Sequence, residues 1–135
     1  MPTTVNSIDV AKRYFDSVNH TRLEDLAAVF AEDALLTFPG VKPIRGRKAI
    51  RDFYAGILSF YPRRFDGVTR WFVSDCGDVA AEIHFEGRTL SNREVIFDAV
   101  DVFTIKNGLI QDLHIHFDNN TVARMVGEVP REYLP

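Results

Sequence analysis

The sequence has little of what marks several specialised classes of protein. It contains one cysteine, Cys76, which excludes an internal disulfide framework and fits a reducing compartment. It has no apolar run long enough to cross a bilayer and no N-terminal stretch of signal-peptide type. Its formal net charge is only -3, from 19 acidic and 16 basic residues, which gives no support for nucleic acid or an anionic membrane as a partner. We therefore expect a soluble, cytoplasmic protein.

The chain also lacks internal repeats, low-complexity tracts and any stretch that reads as an interdomain linker. A length of 135 residues suits one domain over residues 1–135, large enough for a real core. What the sequence does have is phenylalanine, with eleven Phe and an aromatic content of 12 %. That number of rings is enough to line an apolar cavity.

The first half of the chain has the periodicity of helices. Asn6 or Ser7 can cap a first helix that carries Tyr14 on its apolar side. The residues Thr-Arg-Leu-Glu at 21–24 match a capping box and predict the start of a second helix. A short strand is predicted over residues 34–38, and a third amphipathic helix follows Gly46.

The second half changes to the alternation of strands. Strands are predicted over residues 68–73, 79–85, 94–105 and 109–117, and Asn107-Gly108 joins the last two as a hairpin. A short helix is predicted over residues 119–126. Three helices before a four-stranded meander predict an α+β fold, in which the helices pack on one face of a curved antiparallel sheet. A sheet bent around helices leaves a conical pocket where a small ligand can bind.

Asp101 is the most unusual residue of the predicted strands, because its neighbours are almost all β-branched or aromatic. On a period of two, it shares one face with apolar residues only, namely Val95, Phe97, Ala99, Phe103 and Ile105. An ionised carboxylate there is costly, so Asp101 should be paired, hydrogen-bonded or held protonated with a raised pKa. Perturbed carboxyl groups of this kind cluster at functional sites, although structural networks also contain them.

The histidines are weaker candidates. In the last strand His114 and His116 alternate with the apolar residues that end at Phe117, so both should point away from the pocket, towards solvent or a dimer partner. No third residue has the spacing of a metal ligand, and no metal is predicted. Asp118 can cap the terminal helix or, if the strand twists, reach the cavity mouth as an acid or base.

A basic cluster surrounds the start of the third helix, formed by Arg45, Arg47, Lys48 and Arg51. The cluster has two interpretations. It is either a solvated face or a site that draws in the anionic tail of a substrate.

Several motifs together resemble the ketosteroid isomerases and, more broadly, the nuclear-transport-factor-2-like (SnoaL-like) superfamily. These motifs are Arg13-Tyr14-Phe15, Phe38-Pro39, Pro43-Ile44-Arg45-Gly46-Arg47 and Phe53-Tyr54, and the hairpin over residues 101–117 also falls in register. The resemblance covers most of the chain and implies a cone-shaped α+β fold. Because this superfamily contains isomerases, dehydratases, cyclases and non-catalytic modules, the fold does not define the activity.

The resemblance places Tyr14 and Asp101 at the two positions that form the oxyanion hole of the isomerases. Two hydrogen-bond donors aimed at one oxygen stabilise a developing enolate. One position departs from the pattern, since Phe38 stands where the family has its general-base aspartate just before Pro39. Phenylalanine cannot accept a proton, so the usual route of steroid isomerisation lacks its base. From sequence alone, Tyr14 could also be a core residue whose hydroxyl finds a backbone acceptor.

The predicted function is recognition of a small hydrophobic carbonyl or phenolic compound, steroid- or polyketide-like, with Tyr14 and Asp101 as the donors. The candidate walls of the pocket are six phenylalanines: Phe15, Phe38, Phe53, Phe97, Phe103 and Phe117. An enzyme of this design would be an isomerase, cyclase or dehydratase that needs no cofactor. The alternative is a module that kept the pocket without the base, either as a ligand-binding protein or as a dimeric interaction protein. We expect a homodimer through the outer face of the sheet.

Overall fold

The structure, a computed structural model, describes residues 6–127. These residues form four helices: α1 (Ser7–Asn19), α2 (Leu23–Ala28), α3 (Arg47–Phe60) and α4 (Asn119–Val126). Asn6 caps α1, because its side chain accepts a hydrogen bond from the Ile8 N–H at 2.9 Å. The predicted first cap and the bounds of the terminal helix are confirmed. None of the helices in residues 6–127 is both long and apolar enough to cross a membrane.

The described strands form one six-stranded sheet in the order β2-β1-β6-β5-β4-β3. Their bounds are Phe30–Thr37 for β1, Ile44–Arg45 for β2, Arg63–Val73 for β3, Val79–Arg88 for β4, Glu94–Lys106 for β5 and Leu109–His116 for β6. Strands β3 to β6 make the predicted antiparallel meander. The pairing of β1 with β6 is parallel, and it extends the meander on the side away from β3.

The core lies between the inner face of this sheet and the helices α1 and α3. Each helix buries a stripe with a spacing of four residues, which places one residue above another on the same face. The buried stripe of α3 consists of Ile50, Tyr54 and Leu58, and that of α1 includes Val10, Tyr14 and Val18. On β5 the buried residues alternate as predicted and include Val95, Ala99, Asp101 and Phe103. The α+β cone with helices on a curved sheet is confirmed.

Two local predictions were wrong. The proposed capping box at residues 21–24 does not form, because the N-cap of α2 is Arg22, which makes no side-chain cap bond. The Thr21 hydroxyl instead accepts a hydrogen bond from the Arg64 guanidinium at 2.6 Å. Strand β3 also begins at Arg63 rather than at residue 68, and this extension adds Asp66 to the inner face of the sheet.

Candidate functional site

A cavity of about 430 Å³ opens between the inner face of the sheet and the helices α1, α3 and α4. This volume falls within the usual range for small-molecule sites, roughly 300–1,000 Å³. Its walls are largely apolar and include four phenylalanine rings, two from strands β4 and β5 and two from the residues that directly follow β1 and β6: Phe85, Phe97, Phe38 and Phe117. The polar side chains among the described wall residues are few, so each of them is a candidate for ligand recognition.

Tyr14 of α1 and Tyr54 of α3 form a short hydrogen bond between their hydroxyl groups in the cavity wall. Burial raises the pKa of both hydroxyl groups well above the ordinary value of 10.0, and nearby charges at Asp101 and Asp66 act in the same direction. Both groups are therefore neutral donors at physiological pH. The pair contains two hydroxyl protons and its mutual bond uses one of them, which leaves the other for a ligand oxygen.

Asp101 lines the same cavity and is 3 % exposed. Its side chain makes no hydrogen bond or ion pair with any residue in 6–127, and β5 places it opposite Ala81 and Ile115. Burial, followed by the charge of Asp66, raises its pKa well above the ordinary value of 3.8. Burial therefore favours the neutral form of this carboxyl group, which can donate a hydrogen bond to a bound oxygen. The structure thus brings Tyr14 and Asp101 together in one cavity.

Asp66 is a cavity residue that the sequence reasoning missed. It lies on β3 opposite Phe85, on the inner face. The Asn19 side chain holds its backbone from both sides, accepting from the Asp66 N–H at 2.8 Å and donating to the Asp66 carbonyl at 3.0 Å. Burial raises the pKa of Asp66 to about 6, although the charge of Arg64 acts in the opposite direction. The sequence signal that could have revealed Asp66 is the alternation of strand residues. Asp66 lies two residues before Val68, the first residue of the predicted strand, so a longer strand would place both side chains on the same face.

Arg64 supports the strand at this point and also lines the cavity. Its guanidinium donates to the carbonyls of Tyr61 and Val18, at the C-terminal ends of α3 and α1, and to the Thr21 hydroxyl. Cations are favourable at helix C-termini because the carbonyls there carry partial negative charge. Burial lowers the pKa of Arg64, while the charge of Asp66 raises it. Arg64 therefore ties β3 to two helices beside Asp66.

The six candidate phenylalanines divide into two groups. Phe38, Phe97 and Phe117 line the cavity, and the Phe117 ring contacts both others at centroid distances of 5.3 and 4.9 Å. The prediction that the other three line it was wrong, because they pack into the core around it. Phe15 and Phe103 are buried against Tyr14, and Phe53 packs between Phe38 and Tyr54. Phe38 contributes an aromatic ring to the cavity wall, so this position provides no general base.

The histidines and Asp118 lie outside the cavity. His84 pairs with Asp98 on the outer face at 2.8 Å, and the hydrogen bond that its ring donates to the Asp98 carboxylate raises the pKa of His84. His114 bonds to the Thr37 hydroxyl across the β1–β6 pair at 2.7 Å. Asp118 caps α4 by accepting from Asn120 and Thr121, and its hydrogen bonds to Thr121 lower its pKa. Within residues 6–127 no three His, Cys, Asp or Glu side chains are grouped to hold a metal.

The basic side chains at the start of α3 form hydrogen bonds and ion pairs with other groups of the protein. Arg47 donates two hydrogen bonds to the Phe30 carbonyl, at 2.9 and 2.7 Å. Arg51 pairs with Glu24, and Lys48 pairs with Asp52 on the same helix. None of these side chains lines the cavity. This arrangement favours a solvated structural face over a site for an anionic substrate tail.

Comparison with solved structures finds the same fold in several proteins. An NTF2-like protein of unknown function from Burkholderia pseudomallei aligns over 92 % of this chain and 99 % of its own, with a TM-score of 0.84 and 14 % identity. TerC, crystallised with polyporic acid, aligns over 90 % of this chain and 98 % of its own, with a TM-score of 0.81 and 14 % identity. A proposed polyketide cyclase from Sinorhizobium meliloti aligns over 83 % and 100 %, with a TM-score of 0.71 and 22 % identity.

No curated protein matches the sequence significantly. The model of the SnoaL-like domain family matches residues 11–113, which is most of the chain and includes Tyr14, Asp66 and Asp101. The chain therefore belongs to the SnoaL-like domain family.

Proposed function

We propose that the cavity binds a small hydrophobic carbonyl or phenolic compound, steroid- or polyketide-like in character. The observation that carries this proposal is the placement of the Tyr14–Tyr54 hydroxyl pair, which has one proton free, and the carboxyl group of Asp101 in one largely apolar cavity. The apolar walls contribute by burying the ligand skeleton, at roughly 25 cal/mol per Å². The donors recognise the oxygen, and they are most effective when that oxygen carries negative charge.

The reaction that this arrangement supports is enolate chemistry without a cofactor, as in an isomerase, cyclase or dehydratase. Hydrogen bonds that strengthen as charge develops on an oxygen stabilise the transition state more than the ground state. Among the structural neighbours are a proposed polyketide cyclase and a protein crystallised with polyporic acid. These neighbours support the class of ligand proposed.

Binding of 2-naphthol tests this proposal, because its fluorescence distinguishes phenol from phenolate. Wild type should bind it, and Tyr14→Phe should weaken binding about 10- to 100-fold, as expected for loss of a hydrogen bond to a charged oxygen. Asp101→Leu should weaken it similarly, whereas Asp101→Asn keeps a donor and should bind within a few fold of wild type. Asp98→Leu, on the outer face of the same strand, is the control. Equal binding by wild type and both donor-deleting variants would refute the proposal.

A second candidate function is a binding or interaction module without catalysis. The presence of Phe38 at the base position favours it. The outer face of the sheet also exposes large apolar side chains, which supports a homodimer through this face: Phe65, Phe72, Ile96 and Val100. Light scattering would test the dimer, with Val100→Glu expected to give monomers. A wild-type monomer at high concentration would rule the dimer out.

A further inference from the structure

We infer that Asp66 is the proton acceptor of this cavity and supplies the base that Phe38 lacks. This inference rests on the proposed function, because it requires an enolisable carbonyl compound bound to the donors. Asp66 lies on β3, far in sequence from the position where the isomerases carry their base. The proposed substrate class is a hydrophobic ketone with an acidic C–H next to its carbonyl.

The fold holds Asp66 at the cavity by contacts to its backbone, which leaves its carboxylate for other use. The register of β3 with β4 places Asp66 opposite Phe85, and the Phe85 ring stacks on Phe97 at 4.8 Å. These three residues therefore form one row of the inner face. On the free edge of β3, the N–H and the carbonyl of Asp66 both form hydrogen bonds with the side-chain amide of Asn19. Because both of these backbone groups are held, the point on the strand from which the carboxylate projects is fixed relative to the cavity.

The Asp66 carboxylate makes no hydrogen bond or ion pair with another residue in 6–127. Its nearest cation, Arg64, directs its hydrogen bonds to Tyr61, Val18 and Thr21 instead. A half-buried carboxylate without a protein partner is unusual, because such groups are normally satisfied. Here the carboxylate faces the cavity, where a ligand proton can provide the missing partner.

Comparison of the titratable side chains in the described cavity wall also identifies Asp66 as the base. The titratable wall residues on the packed elements are Tyr14 of α1, Tyr54 and Tyr61 at α3, Arg64 and Asp66 of β3, and Asp101 of β5. Phenols and guanidinium groups are donors near neutral pH. Of the two carboxyl groups, Asp66 has its pKa held to about 6 beside Arg64, whereas the charge of Asp66 pushes the pKa of Asp101 higher. Two carboxyl groups in different states divide the roles of base and donor.

The proposed step balances without any co-reactant. The C–H bond next to the carbonyl breaks, its proton passes to an oxygen of Asp66, and its electron pair becomes the C=C bond of the enolate. The negative charge moves to the oxygen that faces Tyr14, Tyr54 and Asp101. Return of the proton to another carbon gives an isomer. Return to the same carbon restores the ketone, with solvent deuterium if the Asp66 proton has exchanged with D2O.

The experiment follows hydrogen–deuterium exchange at C1 of 2-tetralone in D2O by proton NMR, with 2-naphthol binding measured on the same preparations. Wild type should accelerate exchange, with a rate that rises with pH and levels off above about 6. Asp66→Asn should reduce exchange by about 10²- to 10⁴-fold while still binding 2-naphthol. Added formate should partly restore exchange in Asp66→Ala, which a purely structural role would not produce. Asp98→Asn should match wild type.

The outcomes separate the two proposals. Exchange by Asp66→Asn at the wild-type rate would overturn the role of Asp66. The same conclusion follows if wild type binds 2-naphthol through its donors but exchanges no faster than buffer, and in that case the binding function stands. Failure of wild type to bind 2-naphthol or to promote exchange would overturn the proposed function and this inference with it.

Discussion

The hydroxyl groups of Tyr14 on α1 and Tyr54 on α3 hydrogen-bond to each other across a sequence separation of 40 residues. This bond joins the two helices that cover the sheet, and it lies where the buried core forms part of the cavity wall. Loss of either hydroxyl leaves the other without its partner. The pair therefore links stability to ligand recognition.

The first prediction concerns this pair. Tyr54→Phe should lower the free energy of unfolding by about 1–3 kcal/mol, because it leaves a buried hydroxyl unsatisfied. It should also weaken 2-naphthol binding, since Tyr14 loses the partner that orients it. In a double-mutant cycle with Tyr14→Phe, the coupling energy for unfolding should be about 0.5–3 kcal/mol. Additive losses in urea denaturation would show that the bond contributes nothing.

The second prediction concerns Asp66 and pH. Its pKa is about 6 in the folded protein against an ordinary value of 3.8. Between these values the folded state keeps a proton that the unfolded state loses, so stability should fall as pH rises from about 4 to 6. The difference corresponds to at most about 3 kcal/mol. Asp66→Asn lacks this carboxyl group, so its stability relative to wild type should increase over the same interval.

The measurement for this second prediction is urea denaturation of wild type and Asp66→Asn at a series of pH values. The comparison contains its own control, because well below pH 3.8 the Asp66 carboxyl is neutral in both the folded and the unfolded protein, and the two proteins should then differ little. A constant difference between the two proteins from pH 4 to 7 would be inconsistent with a raised pKa at Asp66.

The third prediction concerns Asn19, which positions Asp66 without reaching the cavity. Asn19→Ala removes both hydrogen bonds to the Asp66 backbone and should lower the free energy of unfolding by about 1–3 kcal/mol. It should also slow 2-tetralone exchange while leaving 2-naphthol binding nearly unchanged, because the donors stay in place. Asn120→Ala, at an exposed position of α4, is the control. Unaltered exchange in folded Asn19→Ala would show that Asp66 needs no such support.

The fourth prediction restores the base that the family pattern leads one to expect. Phe38→Asp on an Asp66→Asn background should raise isomerisation of a β,γ-unsaturated ketone by about 10²- to 10⁴-fold over Asp66→Asn alone. It should also cost about 3 kcal/mol of stability, because the Phe38 ring packs on Phe53 and Phe117. Absorbance of the conjugated product follows the reaction, and Phe38→Asn is the control. A folded variant that binds the ketone without converting it would count against the donor arrangement.

Much of the fold could be predicted from local patterns. The alternation in β5 placed Asp101 on the buried face, and the helical residues 119–126 were recognised at their observed bounds. Both signals lie within one element. The parallel pairing of β1 with β6 could not be predicted in this way, because it joins segments about 80 residues apart. Such pairing depends on the closure of the whole sheet.

The site was predicted less completely for a related reason. In the structure Tyr54 belongs to the buried stripe of α3 with Ile50 and Leu58, which are each four residues away. In the sequence, Phe53 and Ile57 form a more hydrophobic pattern beside this stripe, and that pattern drew the prediction away from Tyr54. Asp66 was missed because the predicted strand began only at residue 68. Arg63, Arg64 and Asp66 are nevertheless strand residues, because Arg64 and Asn19 tie them to the helices. Contacts between secondary-structure elements, and not local sequence propensity, thus determine the strand conformation of these residues.

The most direct test of the central claim is a titration of the aspartate carboxyl carbons by ¹³C NMR, with Asp66→Asn and Asp101→Asn used to assign the two signals. The Asp66 carboxyl should ionise near pH 6, where burial and Arg64 set its pKa. Asp101 should remain protonated at neutral pH, because burial raises its pKa. The cavity would then hold one base and one neutral donor. Ionisation of both carboxyl groups below pH 5 would contradict this assignment, because Asp101 would then be a charged acceptor instead of a neutral donor and Asp66 a weaker base than proposed.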